Sequence, residues 1–78
     1  MNQVTFDQYQ SVVRSHKDWD PHPTVGHQVA TCQWLKDGQV MAYAWYEANP
    51  GQPCHRSYYV REEFLEILGT QPEAIRSV

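Results

Sequence analysis

Residues 27–48, HQVATCQWLKDGQVMAYAWYEA, decide how this chain folds. Two runs rich in β-branched and aromatic residues flank Asp37-Gly38, and an Asp-Gly pair in that setting is the strongest short signal for a two-residue hairpin. With Asp37 and Gly38 as the turn, Lys36 faces Gln39 and Leu35 faces Val40. An unbroken ladder then sets Trp34 opposite Met41, Cys32 opposite Tyr43, and Ala30 opposite Trp45 on one face. The other face carries Val29, Thr31, Gln33 and Leu35 against Tyr46, Ala44, Ala42 and Val40. The first set is larger and more apolar, so it is assigned to the core beneath the helices. A slip of one residue would exchange the two faces.

Downstream, Pro50-Gly51 suits the central positions of a type II turn, and CHRSYYV (54–60) alternates as a third strand. That turn would set Arg56 beside Trp45, Tyr58 beside Tyr43, and His55 beside Tyr46. Upstream, Thr5 and Gln8 have the spacing of a capping box, and Val4 can pack on Tyr9 as a hydrophobic staple. Phe6, Tyr9, Val12 and Val13 recur at helical spacing, which predicts a helix from Phe6 to about His16. VREEFLEILG (60–69) reads as a second helix with Phe64, Leu65 and Leu68 on its apolar side and Gly69 as its cap. Thr70 and Glu73 repeat the capping-box spacing and suggest a short last helix over Ala74 and Ile75.

The expected fold is therefore one α+β domain over residues 1–78, in the order α-β-β-β-α. It is a three-stranded antiparallel meander with helices packed on one face and a short C-terminal helix. This order is also that of the double-stranded RNA-binding domain. Those domains begin the helix after the third strand with a lysine-rich stretch, whereas REEFLE stands here, so the likeness stops at topology.

Seventy-eight residues with three Trp, five Tyr and two Phe can build a small aromatic core. A net charge of −3 with interspersed signs argues against a nucleic-acid binder, which needs clustered Lys and Arg. No run approaches the ~20 apolar residues of a membrane span, and the first fifteen residues lack a signal-peptide core. The chain thus reads as a soluble cytoplasmic protein. Cys32 and Cys54, on the two outer strands of the meander, should remain free thiols, because alternate strands lie ~10 Å apart.

HKDWDPHPTVGH (16–27) concentrates His16, Asp18, Asp20, His22 and His27 around two prolines. Zinc could take such ligands with a cysteine, but the spacing matches no familiar module. The segment reads instead as a stiff connection anchored by Trp19, with His22 exposed beside the sheet. Glycine-rich phosphate loops, GxSxG and HExxH are absent, so neither a cofactor nor a catalytic group is indicated. If the assigned core face holds, the opposite face presents Val29, Leu35, Val40, Tyr46 and Tyr59 with His55 at its edge, and exposed patches of this kind mark protein contacts.

The expected role is a small non-enzymatic protein-binding regulator or inhibitor that blocks a larger partner through Tyr46, Tyr59, His55, Val29, Leu35, Val40, Trp19 and His22. By analogy alone, compact single-domain proteins of this kind are frequent among phage and mobile-element products such as anti-CRISPR and host-takeover proteins, and nothing in the residues selects that subclass. A homodimer is a further option. The alternative is a single-stranded nucleic-acid-binding module that stacks bases on Trp34, Tyr43, Trp45 and Tyr58, and the third is a metal-binding module centred on His22.

Overall fold

The computed structural model describes residues 1–66, and in it the helix α1 spans Phe6–Arg14. It begins with the capping box that the sequence predicts. The Thr5 hydroxyl accepts from the Gln8 backbone N–H at 3.1 Å, and the Gln8 side-chain carbonyl accepts from the Thr5 N–H at 2.9 Å. Two donors that a bare helix start would leave unpaired are thereby satisfied. The helix ends at Ser15, short of the expected His16, whose Nδ1 instead donates to the Val12 carbonyl at 2.8 Å.

Two strands that the sequence reading does not anticipate flank this helix: β1 (Asn2–Val4) before it and β2 (Asp20–Val25) after it. The expected meander follows as β3 (Val29–Lys36), β4 (Gln39–Glu47) and β5 (His55–Val60). All pairings are antiparallel, in the spatial order β1-β5-β4-β3-β2. The meander is thus the centre of a five-stranded sheet, and the described elements run β-α-β-β-β-β rather than α-β-β-β. Since β1 and β2 are the two edges, α1 crosses one face of the sheet to join them.

The stretch expected to be a stiff loop, DPHPTV, is the edge strand β2, exposed at every position. Gly26 N–H donates to the Val29 carbonyl at 2.8 Å, closing the tight β2–β3 turn. Antiparallel ladders alternate, so Thr24, His22 and Asp20 turn their main-chain groups toward β3 while Val25, Pro23 and Pro21 turn theirs outward. Both prolines therefore occupy positions where the missing N–H costs no ladder bond, as a proline in a strand must. The outward row keeps carbonyls but only Val25 retains a donor.

The Asp37-Gly38 turn forms as expected, with positive φ at both residues (51° and 78°), the geometry of a type I′ hairpin turn. Lys36 faces Gln39 and Leu35 faces Val40, as predicted. Beyond that pair the ladder shifts, because Met41 is a bulged residue and Trp34 faces Ala42 instead. The correction runs along the whole of β4: Gln33 faces Tyr43, Cys32 faces Ala44, Thr31 faces Trp45, and Ala30 faces Tyr46. The Pro50-Gly51 turn also forms, with Gly51 at φ 76° and Gln52 N–H donating to Asn49 at 3.1 Å. It sits inside a longer loop, so the β4–β5 register is one residue off expectation. Arg56 lies beside Tyr46, Tyr58 beside Ala44, Tyr59 beside Tyr43, and His55 beside Glu47.

These shifts set the core. Ala42, Ala44, Tyr58 and Val60 are buried from the sheet, and Tyr9 and Val12 from α1, with Trp34, Cys32, Val4 and Val13 packed against them. Two alanines under the helix let it approach the sheet, and Trp34 Nε1 bonds the Tyr9 hydroxyl at 2.7 Å across the layers. Trp19 is buried, stacked on His16 at 4.2 Å, and Phe64 meets both rings edge-on at 5.1 Å. The second helix of the sequence reading opens as a 3-10 turn, Glu62–Phe64, and Phe64 and Leu65 join the core as expected. Leu68, the Gly69 cap and the last helix over Ala74 and Ile75 lie outside the described residues.

The prolines of β2 make a direct prediction about association. Replacing Pro21 and Pro23 with threonine restores two outward N–H donors and completes a strand edge. The double variant should show a higher average mass in sedimentation than the parent at equal concentration. An unchanged mass would mean that the prolines do not guard this edge.

Candidate functional site

Because α1, Trp19 and Phe64 all lie on one side of the sheet, the other side has no covering element among the described residues. The bulge at Met41 decides which residues stand there. Tyr43 and Trp45, expected in the core, project from the uncovered face with Tyr59. Their rings form a row, with centroids 5.7 Å apart for Tyr43–Tyr59 and 6.3 Å for Tyr43–Trp45. All three are half-buried. Ser57, paired with Trp45, is only 6% exposed although no helix lies above it, so the flanking side chains cover it.

Trp45 is held in place. Its Nε1 donates to Glu47 Oε1 at 3.2 Å, and Asn49 Nδ2 donates to Glu47 Oε2 at 3.0 Å. The bonds from Asn49 and then Trp45 lower the Glu47 pKa and keep the carboxylate ionised. By register, Gln3, His55, Gln33, Thr31, His22, Thr24 and Asp20 share this side with the rings. None of these positions is Lys or Arg. Arg61, which follows β5, is held by Glu63 at 2.8 Å and Gln39 at 2.9 Å.

The residues expected to meet a partner are divided by the fold. Tyr59, His55 and His22 stand on the uncovered side. Tyr46 does not: it moves to the helix side, edge-on to Tyr58 at 6.0 Å, and Ala42 is fully buried beneath α1. Tyr46 and Tyr59 therefore cannot act on one patch. Trp19 is 4% exposed and anchors its segment, as expected of it, but presents little surface. Leu35 and Val40 are half-buried at the Asp37-Gly38 end, and Val29 at the opposite end beside the β2–β3 turn. The leading sequence reading assigned Tyr43 and Trp45 to the core and named them as contact residues only in the nucleic-acid alternative. The available signal was the alternation of Ala42 and Ala44 with them, since the small side chains suit the face that a helix must approach.

The stacking set of Trp34, Tyr43, Trp45 and Tyr58 is split in the same way, two rings on each side. Among the described residues no three His, Cys, Asp or Glu side chains come together in a metal-holding group. His16 is spent on Trp19 and Val12, while His22 sits midway along the edge strand. Cys32 and Cys54 are free thiols, and burial raises the Cys32 pKa.

On the helix side, Phe6, Tyr46, Arg56 and Tyr58 line an open hollow of about 390 Å³ where α1 stops covering the sheet. Burial first, and hydrogen bonding to Tyr46 second, push the Tyr58 hydroxyl up to about 12. No helix among the described residues is long and apolar enough to cross a membrane. Comparison with protein-family models, curated proteins and solved structures finds no match to this chain.

The raised Tyr58 pKa has a sign that can be checked. The folded state holds this proton above the unfolded value of 10, so the contribution is complete below pH 10 and is lost as pH rises toward 12. The melting temperature should fall over that interval, and the fall should be smaller in Tyr58→Phe. Equal falls in the two proteins would assign the alkaline loss to other groups.

Proposed function

We propose that this chain is a small non-enzymatic protein-binding regulator or inhibitor that blocks a larger protein through the uncovered face of its sheet. The observation that carries the reading is the row Tyr59–Tyr43–Trp45, half-buried on a face that no other described element covers. Tyr and Trp are enriched among the few residues that dominate interface energies, because they offer large rigid contact area at low entropy cost. Trp45 is pre-ordered by Glu47, which lowers the cost of fixing it in a complex. Polar Thr, Gln and His neighbours surround the rings, matching the apolar centre and polar rim of a transient interface.

Charge separates this reading from single-strand nucleic-acid binding. A stacking platform for bases works together with cations that neutralise phosphates. Here the strand positions around the rings carry Asp20 and Glu47 and neither Lys nor Arg. Phosphates would meet repulsion where they need neutralisation, so a protein surface is the better fit.

The test is capture from a host lysate with the parent chain and with Tyr43→Ala and Trp45→Ala. Each variant should keep its melting temperature within a few degrees and lose capture by roughly thirtyfold, the effect of a central interface residue. Retention undiminished in both variants would place the contact elsewhere. Retention of oligonucleotides, lost at high salt, would replace the reading with nucleic-acid binding.

A further inference from the structure

The edge of β5 is only half used. β1 pairs with Tyr58–Val60, leaving His55, Arg56 and Ser57 with β4 on one side and, among the described residues, no strand on the other. Arg61 N–H donates to the Met41 carbonyl at 3.2 Å, which makes that couple a hydrogen-bonded pair. By the alternation of the ladder, Val60, Tyr58 and Arg56 turn their main-chain groups away from β4. Val60 and Tyr58 meet β1 there. The residue opposite Arg56 would be Phe6, but the chain has already entered α1 at that point. Among the described residues, Arg56 thus presents an N–H and a C=O on a strand edge that no other strand pairs.

Its side chain faces an equally incomplete setting. The guanidinium forms no ion pair among the described residues. It borders the hollow of about 390 Å³ whose other walls are Phe6, Tyr46 and Tyr58, and Phe6 is 46% exposed there. A second hollow of about 180 Å³ adjoins it, sharing Tyr46 and reaching Cys54. Neither lining contains a carboxylate, so this is a cationic, aromatic recess on a chain whose net charge is −3.

We propose that this recess binds an extended, acidic segment of a partner protein, which adds to the free edge of β5 as a short strand. One residue of the segment pairs with the Arg56 main chain and sets its carboxylate on the guanidinium, its aliphatic stem lying against Phe6. An apolar side chain two residues along, on the same face of the added strand, packs beside Cys54. Charge complementarity selects the acid, and the open main-chain pair selects an extended backbone over a helix. The site lies on the opposite side of the sheet from Tyr43 and Trp45, so it stands or falls independently of the contact face proposed above.

The probe is a capped pentapeptide, threonine-glutamate-threonine-leucine-threonine, titrated to about 1 mM against the full ¹⁵N-labelled chain. The amides of Phe6, Arg56 and Tyr58 should shift saturably. Glutamine in place of the glutamate should weaken binding roughly tenfold, as should Arg56→Gln, the loss of one charge-assisted contact. Arg56 is exposed, so the variant should keep its melting temperature. Methylating the glutamate amide nitrogen removes the donor that pairs with Arg56 and should weaken binding without touching the protein. The proposal is overturned by absence of saturable shifts, by affinity indifferent to both charge changes, or by shifts centred on Tyr43, Trp45 and Tyr59.

Discussion

One inserted residue in β4 controls what each side of the sheet becomes. Side chains alternate along a strand with a period of two, so the bulge at Met41 sends every later residue of β4 to the side opposite its expected one. The result is a division by size. Ala42 and Ala44 go beneath α1, where a close approach is needed, while Tyr43 and Trp45 go to the uncovered side. The helix can then rest near the sheet, and Trp34 can reach across to the Tyr9 hydroxyl. At the bulge, the Met41 carbonyl accepts from the Arg61 N–H.

The two edges of the sheet are treated differently. On the β2 edge, Pro21 and Pro23 occupy two of the three outward positions and leave Val25 as the one donor of that row, while sparing the bonds to β3. On the other edge, β1 is three residues long and covers half of β5. A sheet with one sealed edge and one partly covered edge discourages indiscriminate strand pairing yet leaves a defined place for it. The stretch HKDWDPHPTVGH, so rich in histidine and aspartate, is best understood in these terms. Its histidines are separated by an extended backbone, His16 is stacked on Trp19, and its prolines serve the edge.

Much of the local structure was legible from short range. The Thr5–Gln8 box, the Asp37-Gly38 turn, the Pro50-Gly51 turn and the packing of Phe64 and Leu65 each rest on a few neighbouring residues, and each is found. The missed strands lack such signals. β1 is too short to show an alternation, and its partner is more than fifty positions away. β2 is exposed throughout, so it has no apolar face to read. Of the residues assigned to the open face, Tyr59 and His55 stand on the uncovered side, whereas Tyr46 was assigned through a ladder assumed to be unbroken, and His22, read as part of a connection, lies in strand β2.

The amino-acid sequence by itself determined the α+β class, the capped first helix, the central meander and the positions of its turns. Those features follow from local backbone preferences and from side chains three or four residues apart. Only the tertiary structure decided which aromatic rings are core and which are surface. Face assignment depends on register, register depends on where a bulge is tolerated, and that depends on a helix packed across the sheet from residues distant in the chain. Tyr58 and Tyr59 show the consequence: adjacent in sequence, one closes the core beneath α1 and the other stands in the exposed aromatic row.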